Sequence, residues 1–124
     1  MSNIGCPTYL TLQMHGMAAF FQSKHRALTY HISGEKVNGR NYWLSGDEED
    51  AIWYGPHQVG SGYGSGWHIG PTRNVGELLV GIYSKGNENC PNEASTWKYF
   101  DGNNNWILAS ANEINLFGQS EHLF

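Results

Sequence analysis

Residues 38–70, NGRNYWLSGDEEDAIWYGPHQVGSGYGSGWHIG, decide how the chain is read. They open on Asn38-Gly39, the residue pair that best tolerates the positive φ angles of a two-residue type I′ hairpin turn. After the turn come two aromatic segments, Tyr42-Trp43 and Trp53-Tyr54, then a loop with glycine at 60, 62 and 64. A third aromatic segment follows at Trp67, so the stretch holds three of the five tryptophans. Short aromatic segments separated by tight turns are the pattern of antiparallel sheet.

Upstream, residues 27–32 set Leu28, Tyr30 and Ile32 against Thr29 and His31, the period-two alternation of a half-buried strand. Residues 8–12 read as a strand through their Thr, Tyr and Leu content. Residues 17–21 (MAAFF) suit either a helical turn or a buried strand. A strand is expected, because Gly16 inside a helix would cost about 1 kcal/mol. Downstream, strands are expected at 66–70, 78–83, 96–100, 106–109 and 112–117. Roughly eight to ten short strands at this spacing predict an all-β fold, a compact antiparallel sandwich or barrel.

Composition agrees. Sixteen glycines and 14% aromatics accompany only 15% charged residues, against about a quarter in ordinary domains. A chain of 124 residues makes one domain with a core of its own; that core is expected over about 6–117, with 118–124 a frayed tail. Net charge is −4, and the seven Lys and Arg residues are scattered without a stripe, which argues against nucleic acid as a partner. No apolar run is long enough to insert in a membrane. No basic segment precedes 17–21, so no signal peptide is read, and the chain is either cytosolic or a mature form. Cys6 and Cys90 lack C-x-x-C spacing; one long-range disulfide and two buried thiols fit the count equally.

The order of residues also resembles a small domain of extracellular proteins of marine invertebrates. The resemblance rests on Cys6-Pro7-Thr8-Tyr9-Leu10, Asn38-Gly39-Arg40-Asn41-Tyr42, Trp53-Tyr54 and Trp67-His68-Ile69-Gly70. It continues through Ser84, Cys90-Pro91, Trp97-Lys98-Tyr99-Phe100, Gly102, Trp106 and Ile114. It covers residues 6 to about 117 and implies a secreted protein, with no activity to carry over. An extracellular setting would make Cys6 and Cys90 a disulfide pair. Members often carry another cysteine at the end of the last strand, where this chain has Leu116-Phe117.

Motifs for chemistry are sparse. His57 and His68 lie eleven residues apart across the glycine loop, too few and too loosely placed for zinc, so no metal or cofactor is expected. Asp101, Asn103 and Asn105 mimic the start of a calcium loop, but Trp106 and Asn112 stand where Gly and Glu are needed. The acidic run 47–50 reads as an exposed loop, with loose calcium binding as an equal alternative. No Gly-x-Ser-x-Gly elbow is present, and no catalytic residue is assigned.

Strand alternation sends Tyr42 and Trp43, and Trp53 and Tyr54, to opposite faces. One of each pair is therefore expected to face outward or join a second cluster; the alternative is that loops cover both faces. Aromatic rings beside Asn, His and Asp suit sugars, whose apolar faces stack while hydroxyls take hydrogen bonds. The expected ligand surface is Trp53, Tyr54, His57, Tyr63, Trp67 and His68, with Asp50 at its rim. The function expected is non-catalytic recognition of a glycan or protein surface partner. A structural or adhesive extracellular module is the alternative, and an enzyme acting on saccharides a third reading.

Overall fold

The computed structural model describes residues 5–21, 26–55, 65–76, 81–103, 105–110 and 112–119. Among them are nine strands: β1 (Tyr9–Met14), β2 (Thr29–Val37), β3 (Arg40–Ser45), β4 (Asp50–Gly55), β5 (Gly66–Pro71), β6 (Ile82–Lys85), β7 (Trp97–Phe100), β8 (Trp106–Leu108) and β9 (Ile114–Gln119). They form one antiparallel sheet in the order β8-β7-β6-β5-β4-β3-β2-β1-β9. The chain is all-β, as expected. The sheet curls into a half-barrel whose outer strands are β8 and β9.

The organising hairpin is β2–β3. Asn38 and Gly39 both have positive φ (54° and 81°), as a type I′ turn requires. Between Ile32 and Lys36 of β2 the register shifts by two residues, four steps facing two on β3 (Trp43 to Asn41), and such an irregularity bends and twists its strand. Asn38 ties the tip to the next strand by donating from Nδ2 to the Tyr54 carbonyl, 2.9 Å. At Gly66, which pairs with Lys85, a Cβ would sit 2.1 Å from the Ser84 carbonyl oxygen. Only glycine lets β5 and β6 approach so closely.

One face of the sheet carries the main core. Leu10, Leu12, Tyr30, Trp43, Ile52, Trp67, Ile69 and Ile82 are fully buried there, with Tyr99, Trp97, Ile114 and Leu116 around them. Each buried tryptophan contributes roughly 4–6 kcal/mol of transfer free energy, comparable to a large share of a domain's net stability.

Residues 16–21 correct the strand expectation: Gly16–Phe21 is a short helix, α1. Gly16 is its first residue and has φ +63°, so the helix-interior penalty for glycine does not apply. Six residues are too few for a helix to stand alone. Two tertiary contacts hold it: Ala18 is fully buried, and its amide donates to Glu113 Oε2 at 2.9 Å. Strand β9 also reaches Gln119, beyond the expected start of the tail. Gly118 there is packed so closely on Pro7 that a Cβ would lie 2.2 Å from its Cγ.

Candidate functional site

The expected ligand residues divide between the two faces and two ends of the sheet. Trp53 pairs with His68 across β4 and β5, and the rings stack at 5.8 Å with planes 13° apart. His68 also meets Tyr83 at 4.9 Å, and Tyr83 meets Trp106 edge-on at 6.3 Å. This row forms a second aromatic cluster on the face opposite the main core. Its Trp53 and His68 are both fully buried, so they offer no open stacking platform. His68 Nδ1 lies 3.0 Å from the Gly66 carbonyl.

Tyr54 and Trp67 face the main core instead, edge to face at 5.4 Å. Asp50 stands at the other end of β4 from Gly55, buried and ion-paired to Arg26 Nε at 2.9 Å. It therefore leaves the exposed loop expected for the run 47–50. Its amide donates to Ser45 Oγ, and the Ser45 hydroxyl donates to Asp47 Oδ1, closing the β3–β4 turn on itself. His57, Tyr63 and the three alternate glycines lie outside the described residues.

A recess opens where the β2–β3 hairpin meets the disulfide. Cys6 and Cys90 are bonded, with Cα atoms 5.4 Å apart. The Asn89 side-chain amide lies over the bridge, 3.7 and 3.6 Å from the two sulfurs. The disulfide ties Cys90 to the segment before β1, and the carbonyls of residues 87 and 88 hold the hairpin. Arg40 Nη1 donates to the Asn87 and Glu88 carbonyls at 3.3 and 2.5 Å. Trp67 Nε1 donates to the same Glu88 carbonyl at 2.9 Å. Trp43 Nε1 donates to the Pro7 carbonyl at 3.0 Å.

The result is a cavity of about 50 Å³ walled by Trp43 and Trp67, with Lys36, Arg40, Asn41 and Asn89 supplying polar groups. The Arg40 guanidinium carbon lies over Tyr54, 3.9 Å from its ring centroid. Tyr54, Trp67 and Trp43 then run inward from it as successive edge-to-face contacts.

No family model matches this chain, and no curated protein or solved structure matches it either.

Other ionisable groups are engaged in holding the fold. Glu113 Oε1 accepts from the Ser110 amide and hydroxyl, while Oε2 accepts from the Ala18 amide and the Tyr99 hydroxyl. Burial pushes its pKa up, but these donors outweigh it and hold the carboxyl below its ordinary value. Glu113 thus fastens α1 and β7 to the turn before β9. An open groove of about 330 Å³ beside it is lined by His15, Gly16, Ser110, Asn112 and Glu113, but the carboxylate already has four donors. Asp101 closes its own turn, accepting from the Asn103 and Asn105 amides. Among the described residues no group of three His, Cys, Asp or Glu could hold a metal, and no helix is long and apolar enough to cross a membrane.

Sequence reasoning missed Lys36, Arg40, Asn41 and Asn89. The available signal was the hairpin itself, since a two-residue turn places Lys36 directly across from Asn41. Nothing in the spacing announces Asn89, which arrives from about fifty residues away.

Proposed function

We propose that this domain is a non-catalytic binding module that recognises a glycan on an extracellular partner. The observation that carries the reading is the recess of Lys36, Arg40, Asn41 and Asn89 over the Trp43–Trp67 wall. Convergent donors on a rigid, partly apolar cavity are the usual form of a specificity site. The cavity is small, so most of a ligand would lie across the outer surface and insert one group. That favours a branched or extended ligand over a free metabolite.

The Cys6–Cys90 bridge supports placement in an oxidising compartment, where such bonds persist. Buried Asp50 is tied to Arg26, and partly buried Glu113 to four donors. Neither is poised as the acid or base of a saccharide-cleaving pair. A glycan array probed with the full chain tests the reading. Binding to a chemically related subset is expected; a blank array overturns it in favour of a structural or adhesive module.

A further inference from the structure

We propose that the recess accepts a single anionic group, the carboxylate or sulfate of an acidic saccharide. This rests on the glycan reading above and narrows it by charge. Size is the first argument. The cavity, about 50 Å³, is several times the ~10–15 Å³ that one ordered water needs. It is far below the roughly 300 Å³ of the smallest ordinary ligand pockets. A functional group enters and a sugar ring does not.

Charge is the second. Lys36 and Arg40 are the charged side chains lining the cavity, beside the amides of Asn41 and Asn89, and no carboxylate lines it. Arg40 spends one face on Tyr54 and Nη1 on two carbonyls. It has no carboxylate partner among the described residues. Those neutral contacts fix the guanidinium without cancelling its charge, so an incoming anion meets a donor that has already lost its rotamer freedom. The Trp43 and Trp67 wall excludes water from one side and strengthens the attraction.

The net charge of −4 does not oppose this at short range. The acidic turn at 47–49 sits at the far end of β3 from Arg40, roughly 17 Å away at the usual rise per residue. At physiological salt the screening length is about 8 Å. The Glu88 carboxylate folds against Gly86, where a Cβ would meet both its oxygens within 2.8 Å.

The test is an NMR titration of the full chain at constant ionic strength with three probes: a sulfated disaccharide, the same disaccharide without sulfate, and inorganic sulfate. The sulfated sugar is expected to shift the Gly39 and Asn41 amides and the Trp43 and Trp67 indole N–H signals. The neutral sugar should leave them still, and inorganic sulfate should bind at least about tenfold more weakly. Lys36 is exposed, so Lys36→Gln should fold normally and weaken the sulfated sugar about three- to fivefold. Equal shifts from the neutral sugar would overturn the anionic preference and leave the glycan reading standing. Sulfate binding as tightly as the sulfated sugar would make this a free-anion site and end the saccharide assignment. Unmoved reporters with every probe, or unchanged affinity in Lys36→Gln, overturn the proposal; glycan binding elsewhere on the domain would still preserve the broader reading.

Discussion

The guanidinium carbon of Arg40 lies 3.9 Å above the ring centroid of Tyr54. That contact joins the tip of the organising hairpin to the interior of the sheet, because Tyr54 packs in turn on Trp67. The planar fork also holds the Asn87 and Glu88 carbonyls, so one side chain links hairpin, core and disulfide loop. Lysine could keep the charge but not stack and bridge at once. Arg40→Lys is expected to cost about 1–2 kcal/mol, read as a lower urea midpoint at unchanged m-value. An unchanged midpoint would show that the guanidinium does not brace the loop.

Two glycines are required for different reasons, and alanine separates them. At Gly39 nothing lies within 4 Å of an added Cβ, but φ is +81°; Gly39→Ala should therefore lose only the backbone term, about 1–2 kcal/mol. At Gly66 the added methyl would meet the Ser84 carbonyl oxygen at 2.1 Å. Gly66→Ala must push β5 from β6 and should be the more damaging change. Thermal unfolding of both variants checks the order, and the reverse order would place the strain in the turn.

The Cys6–Cys90 bridge closes a sequence separation of 84 residues. Chain-entropy reasoning gives roughly 4–5 kcal/mol for a loop of that size, and native disulfides commonly contribute about 2–4 kcal/mol. The double variant Cys6→Ala/Cys90→Ala should lose stability in that range. Hydrogen exchange should quicken first in residues 86–96, whose tether is cut, and stay slow longest at Trp43 and Ile52 in the sheet centre. Uniform acceleration would mean that the bridge acts on the whole sheet at once.

Acid should act through Glu113. Its folded pKa lies below the ordinary glutamate value, despite burial pushing upward, because Ser110, Ala18 and Tyr99 donate to the charged form. A depressed carboxyl contributes stability in full above its unfolded pKa of about 4.3 and loses it as pH falls towards the folded value. Glu113→Gln should therefore be less stable than the parent at neutral pH and nearly level with it in strong acid. A constant difference across pH 2–7, on the order of the whole acid transition, would deny the linkage.

Alkali should act through Tyr30, which is fully buried and donates from its hydroxyl to the Arg26 carbonyl at 2.8 Å. Burial first, then the Asp50 charge, raises its pKa well above the ordinary tyrosine value. A raised pKa means that this stability is complete below about pH 10, the unfolded value, and is lost as pH rises through the alkaline range. Tyr30→Phe should cost about 1 kcal/mol at pH 7 and flatten the alkaline limb of the unfolding curve. An equally steep limb in the variant would assign it to another group.

Much of the fold was legible because it is local. The Asn38-Gly39 turn needs positive φ at two successive residues, and few pairs other than Asn-Gly supply it. The alternation through Leu28, Tyr30 and Ile32, and the split of Trp53 from Tyr54, follow from the period of a strand. The count of two cysteines likewise limited any bridge within the chain to Cys6 with Cys90. Other features required the register between strands. A strand's own sequence says that neighbours face opposite ways, but not which face meets the core. Only the pairing of Trp53 with His68 and of Tyr54 with Trp67 buried the first pair in the second cluster and turned the other towards the hairpin. The helix at Gly16–Phe21 was equally hidden, since its support comes from Glu113, about ninety residues on. So was the recess: Lys36, Arg40 and Asn89 meet because a disulfide and three carbonyl bonds close a distance that no local propensity records.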